Sequence, residues 1–147
     1  MPDRYVAPSW FTRHVFNRLV ARFTKMGLSV WGSRILLVRG RASGEIRKNV
    51  VNVLTHDGER YLVAPRGTTQ WVRNVRAAGK ADLKVGRRVE PVIAEELADE
   101  AKPPVLRAYL RRWKWEVGQF FDGVGPDATE DELLRIASGY PVFRLHP

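Results

Sequence analysis

The cations of this chain bunch around one glycine-rich turn. Arg39, Arg41, Arg47 and Lys48 surround Gly40-Arg41-Ala42-Ser43-Gly44. A hairpin needs no such charge at its loop, whereas an anionic ligand does. A guanidinium is a planar fork that captures phosphate or carboxylate through two parallel hydrogen bonds, and Arg41 and Arg47 flank Ser43-Gly44. Backbone N–H groups of a glycine-containing turn add to such a cradle. Further along, Arg66-Gly67-Thr68-Thr69 offers another cation, two hydroxyls and the approach to a helix N-terminus. Two anion sites on neighbouring loops suit a long anionic cofactor whose flat end runs along a sheet. A solvent-exposed basic rim accounts for the same residues equally well.

Other chemistries are poorly provided for. The chain has no cysteine, which removes disulfides, thiolate metal sites and thiol nucleophiles together. Its three histidines, His14, His56 and His146, lie far apart in sequence, so no metal site is expected. There is no Gly-x-Ser-x-Gly elbow, no P-loop and no Gly-x-Gly-x-x-Gly after a strand. The acidic clusters at 90–100 and 127–132 fall at helix starts, where carboxylates complement the helix dipole. No catalytic residue is assigned. A chain without acid–base or nucleophile motifs can still be an enzyme if a cofactor supplies the chemistry.

The elements that must position the basic turn follow from periodicity. Ile35-Leu36-Leu37-Val38, the run from Arg47 to Leu54, and Tyr61-Leu62-Val63-Ala64-Pro65 are β-type segments joined by glycine-containing turns. They read as an antiparallel meander. Asp57-Gly58 is the dipeptide a tight hairpin favours, since both residues tolerate positive φ. A short helix over 69–78 follows, with Thr68 or Thr69 as its cap and Gly79 as its stop. The segments 81–85 and 89–93 form a second hairpin, with Pro91 best tolerated at a sheet edge. Helix is expected from 99 to 121, with Pro103-Pro104 in a first turn or at a break. Its aromatic stripe, including Trp113 and Phe121, reads as core or as the wall of an apolar pocket. Thr129-Glu-Asp-Glu132 is a capping box, and 141–145 is a last strand.

The N-terminal region adds an amphipathic helix over 9–26. Phe11, Val15, Phe16, Leu19, Val20, Phe23 and Met26 fall at three- and four-residue spacing, with Arg13, Arg18, Arg22 and Lys25 opposite. It reads as a core-packing helix with a solvated basic face, or as one that lies on an anionic membrane or seals an apolar substrate.

At 147 residues the chain has the size of one domain. The expected fold is α+β, a split β-barrel of about six mostly antiparallel strands, because a small antiparallel sheet hides its edges by closing. One domain spans 1–147, with helix at 9–26, barrel at 34–95, and C-terminal helices and last strand at 99–146. A net charge of +9 asks for an anionic partner. Nucleic acid is disfavoured because no recognisable binding module is present. No apolar run reaches the 18 residues that suggest a membrane span, and a cytoplasmic location, peripheral at a membrane if the first helix docks there, is expected.

The run Leu37-Val-Arg-Gly-Arg-Ala-Ser-Gly-Glu-Ile-Arg47, followed by Asn49 and a strand, resembles the Gly-Arg-x-Ser-Gly-x-x-Arg signature of the deazaflavin-dependent nitroreductase family. Gly58 with Tyr61-Leu-Val-Ala64, and then Trp71-x-x-Asn74-x-x-Ala77, continue the resemblance in register. Pro141-Val-Phe-Arg-Leu145 resembles the family's last strand. Ala42 stands where many relatives carry Lys, and the loop before Trp71 is shorter than usual. The resemblance implies a split barrel that binds coenzyme F420 and passes its hydride to quinones or nitroaromatics. It implies that Arg41, Ser43, Arg47, Arg66 and Thr68 belong to the cofactor site, with the first and third holding the phosphate and polyglutamate end. Asn49, Asn52, Ala64 and Pro65 would line the ring system, and Trp71 and Asn74 would close the site. The acceptor would be lipophilic, and a homodimer is compatible. The competing expectations are an FMN-dependent oxidoreductase and a non-catalytic barrel that holds a fatty acyl or anionic lipid ligand.

Overall fold

Asp57 and Gly58 take φ of 51° and 76°, the left-handed values that let two residues reverse a strand. They join β2 (Ile46–His56) to β3 (Glu59–Val63). The computed structural model describes residues 33–147, apart from the side chains of Trp115 and Glu116. The helix expected over 9–26 lies outside the described residues.

Six strands close into a barrel in the order β1-β2-β3-β6-β5-β4, every pair antiparallel. β1 is Ser33–Arg39, β4 is Lys80–Val85, β5 is Arg88–Glu96 and β6 is Val142–His146. The expected antiparallel barrel is therefore present. Pro91 pairs with Asp82 of β4, whereas β6 pairs with β5 only from Ile93 onward. The proline thus sits where one flank of its strand has no ladder, a local edge inside a closed barrel.

Period-two alternation sorts side chains into two cores. Leu36, Val38, Val51, Val53, Leu62 and Phe143 fill the barrel interior. Tyr61 and Val63, on the other face of β3, meet α2 (Pro103–Val117) and α3 (Glu130–Ile136) outside the barrel. Leu106, Tyr109, Leu110 and Trp113 of α2 are buried there. Phe121 stacks on Tyr140 at 4.2 Å and 10°, and the Tyr140 hydroxyl donates to the Phe120 carbonyl. The aromatic stripe is core. Pro103 and Pro104 occupy the first turn of α2, where their missing N–H groups leave no helical bond unmade. Thr129 caps α3, its hydroxyl accepting the Glu132 N–H at 3.2 Å.

The remaining helix, α1 (Gln70–Ala78), covers one end of the barrel. Val72 and Val75 enter the barrel core, and Gly79 ends the helix at φ 71°. Among the described residues no helix is long and apolar enough to cross a membrane.

Candidate functional site

The β1–β2 connection is shaped by two glycines. Gly44 takes φ of 75°, and its N–H donates to the Gly40 carbonyl at 2.9 Å. A Cβ at Gly40 would stand 2.9 Å from Ser43 Oγ and 3.2 Å from the Glu45 carbonyl oxygen. The chain can fold back this tightly only without that atom. Ser43 Oγ accepts from the Glu45 N–H at 3.2 Å and from Arg47 Nη2 at 3.4 Å, so its first task is to close the loop. Arg39 Nη1 donates to the Gly44 carbonyl at 2.9 Å. Two guanidinium groups, those of Arg39 and Arg47, are therefore bonded within one turn.

Arg41 leaves the loop and reaches α1. Its backbone N–H donates to Asn74 Oδ1 at 3.1 Å, and its Nη1 to the same oxygen at 2.8 Å. Its Nη2 donates to Gln70 Oε1 at 2.9 Å. Asn74 is only 4% exposed, while Arg41 and Gln70 remain at the surface. Arg47 is more loosely held, 3.9 Å from the Glu45 carboxylate.

The second loop joins β3 to α1 and arrives at the same end. The Gly67 N–H donates to the Ala64 carbonyl at 3.2 Å, and the Thr69 N–H to the Gly67 carbonyl at 3.0 Å. Thr69 occupies the N-cap position, but its side chain makes no capping bond. This corrects the expectation of a hydroxyl cap. Thr69 is 7% exposed, and its Oγ1 is buried without a hydrogen-bond partner among the described residues. The N–H groups of a helix's first turn are a donor set for an anion's oxygens, whereas the Thr69 hydroxyl beside them is enclosed. Thr68 is equally buried and Arg66 half-buried.

The other expected residues divide. Trp71, half-buried, leans on Phe143 at 6.1 Å and 52°, which fixes the ring near the mouth covered by α1. Pro65 is half-buried in the same loop. Ala64 is buried in the barrel core, its N–H bonded to the Pro141 carbonyl at 2.9 Å. Asn49 lies across from Leu36, on the face that carries Arg47 and Val51, while Asn52 lies across from Ser33. Three residues apart on a strand, the two asparagines point to opposite faces and stand about 10 Å apart along it. They do not share one wall. Gln70 was not among the expected residues, and no local pattern marks it.

Among the described residues no group of histidines and carboxylates could hold a metal ion. The arrangement is suited to binding an anion at the end of the barrel that α1 covers.

The comparisons agree on architecture and add a family. A family model described as F420H(2)-dependent quinone reductase matches residues 11–117. A solved structure described as a domain-swapped dimer is similar with a TM-score of 0.56 at 19% identity, over 95% of this chain and 100% of that one. The structure of F420-H2 Dependent Reductase (FDR-A) gives 0.55 at 18% identity, over 78% of this chain and 94% of that one. General Stress Protein 26 from Bacillus anthracis str. Sterne gives 0.52 at 11%, over 88% and 89%. At such identities the likeness is one of fold. No curated protein matches the chain.

Proposed function

The chain belongs to the F420H(2)-dependent quinone reductase family and is an F420-dependent oxidoreductase; from that premise we propose that the cofactor's anionic tail lies at the end of the barrel covered by α1. The observation that carries this is the convergence there of two loops with matching donors. Arg41, Arg47 and Ser43 come from one, and Arg66 and the α1 N-terminus from the other. This set fits phosphate and carboxylate oxygens, which accept charge-assisted bonds from guanidinium forks.

When bound, the reduced deazaflavin supplies a hydride to the acceptor. The chain's own part is to bind, orient and exclude water. Arg41 and Arg47 hold the tail, with Arg66 and Thr68 on the facing loop. Asn49, Pro65 and Trp71 are assigned to the flat ring system that would run from that tail along the sheet. Asn52, on the opposite face of β2, is outside this cluster. The acceptor is a lipophilic, electron-poor molecule of the quinone or nitroaromatic type. The helix over 9–26, if amphipathic as its sequence indicates, contributes an apolar wall or a contact with an anionic membrane. The domain is single, and a homodimer is compatible with it.

Titration of the protein with F420 and with FMN, followed by fluorescence quenching, tests the reading. F420 binds more tightly if it is right. Tighter binding of FMN would overturn it.

A further inference from the structure

Arg41 is held differently from the arginines of this protein that are forked onto carboxylates. Arg60 donates to both Glu90 oxygens at 2.9 and 2.6 Å, and Arg76 to both Glu96 oxygens at 2.8 and 2.7 Å. Arg41 instead donates to two amide oxygens, those of Asn74 and Gln70. A carboxylate in either place would bond the fork more strongly. At Gln70, in the first turn, it would also complement the helix dipole. The first turn of α3 shows that preference, with Glu130, Asp131 and Glu132, whereas the first turn of α1 has no acidic residue.

Resting on the assignment of Arg41 to the cofactor's tail, we infer that Gln70 and Asn74 are positioning residues whose neutrality is functional: they fix the Arg41 guanidinium while leaving its charge for the anionic cofactor. An amide oxygen supplies direction without cancelling the cation. A carboxylate would supply both direction and a competing anion, and F420 would then have to displace it. Asn74, enclosed and twice used as an acceptor, therefore acts through Arg41 rather than by closing over the ligand. Gln70, at the surface, sets the outer Nη2 and so the plane of the fork.

The test uses the full chain and F420 titrations of the wild type, Gln70→Glu, Asn74→Asp and Arg41→Ala, with thermal unfolding of each cofactor-free protein. Gln70→Glu is expected to weaken F420 binding about fivefold at low salt, the scale of an exposed ion pair. Added salt should shrink the loss, because exposed charges are screened. The thermal midpoint should hold or rise, since a new ion pair forms. Asn74→Asp keeps both hydrogen bonds and should act in the same direction. A purely structural role predicts the opposite, an unchanged or tighter complex in the stabilised variant. Wild-type affinity in Gln70→Glu, or a loss that tracks a falling midpoint and ignores salt, overturns the inference. If Arg41→Ala weakens binding while both acidic variants bind normally, only the inference fails. If Arg41→Ala also binds normally, the placement of the tail fails with it.

Discussion

Arg41 and Arg60, at opposite ends of the barrel, are held differently. At the end covered by α1, Arg41 is aimed by neutral amides and Arg47 rests loosely near an exposed glutamate. At the other end, Arg60 of β3 is forked onto Glu90 of β5 across the stretch where β6 has stopped pairing. That ion pair links β3 to β5 and neutralises itself. Burial, together with the like charges of Arg60, Arg88 and Arg112, holds the Arg34 guanidinium below the usual arginine range. Counting basic residues would not distinguish these ends. The charge of each arginine's partner does: Arg41 is paired with neutral amides, whereas Arg60, like Arg76 of α1 with Glu96, is paired with a carboxylate.

The sharpest way to break that comparison is to remove one arginine from each end. Arg41→Ala should cost about 1.5–3 kcal/mol of F420 binding, the range for hydrogen bonds to charged groups. Arg60→Ala should leave F420 affinity unchanged and lower only thermal stability. Arg41→Lys should recover part of the loss, because an ammonium has no planar fork. Fluorescence titration of the three variants decides among them. Equal losses at both ends would erase the distinction.

A finer comparison lies within the α1 end. Arg47 is already near Glu45, so Arg47→Ala should cost less than Arg41→Ala, at most about 1 kcal/mol of F420 binding. Removing the competing carboxylate with Glu45→Gln should tighten F420 binding, an effect that fades in salt. A weaker complex for Glu45→Gln would mean that the carboxylate organises the loop rather than competing.

The smallest effect is a pH dependence at the far end. The hydrogen bond from Arg60 holds the Glu90 carboxyl below its usual range, with the charge of Arg60 adding to it against partial desolvation. A depressed carboxylate contributes stability above its unfolded pKa and loses it as pH falls through the folded value. With Glu90 about half exposed, that contribution is about 0.2–1 kcal/mol. Acid titration of thermal stability should show a slightly steeper fall for the wild type than for Glu90→Gln. Parallel curves would remove this pair from the acid response.

Much of the barrel was legible in sequence because its causes are local. Alternation marked the strands, Asp57-Gly58 and Gly79 marked a turn and a helix stop, and Thr129 with Glu132 marked a cap. The basic turn stood out in sequence because charge without a structural need is conspicuous. What escaped depends on distance in sequence. Gln70 meets Arg41 across 29 residues, and nothing in the identity of a glutamine announces that partner. Asn74 was singled out in sequence, but its use as a buried acceptor for Arg41 was not. The Thr69 hydroxyl failed as a cap because capping requires geometry, not only an oxygen at the right position. Asn49 and Asn52 could have been separated from sequence alone, since an odd spacing on a strand means opposite faces.

Hydrogen–deuterium exchange of the full chain with and without saturating F420 tests the central claim most directly. The account predicts slowed exchange in residues 40–47 and 66–74, the two loops and the first half of α1, with no change at 57–60 or 88–90. Protection confined to the Arg60–Glu90 end, or absent from the 40–47 loop, would contradict it.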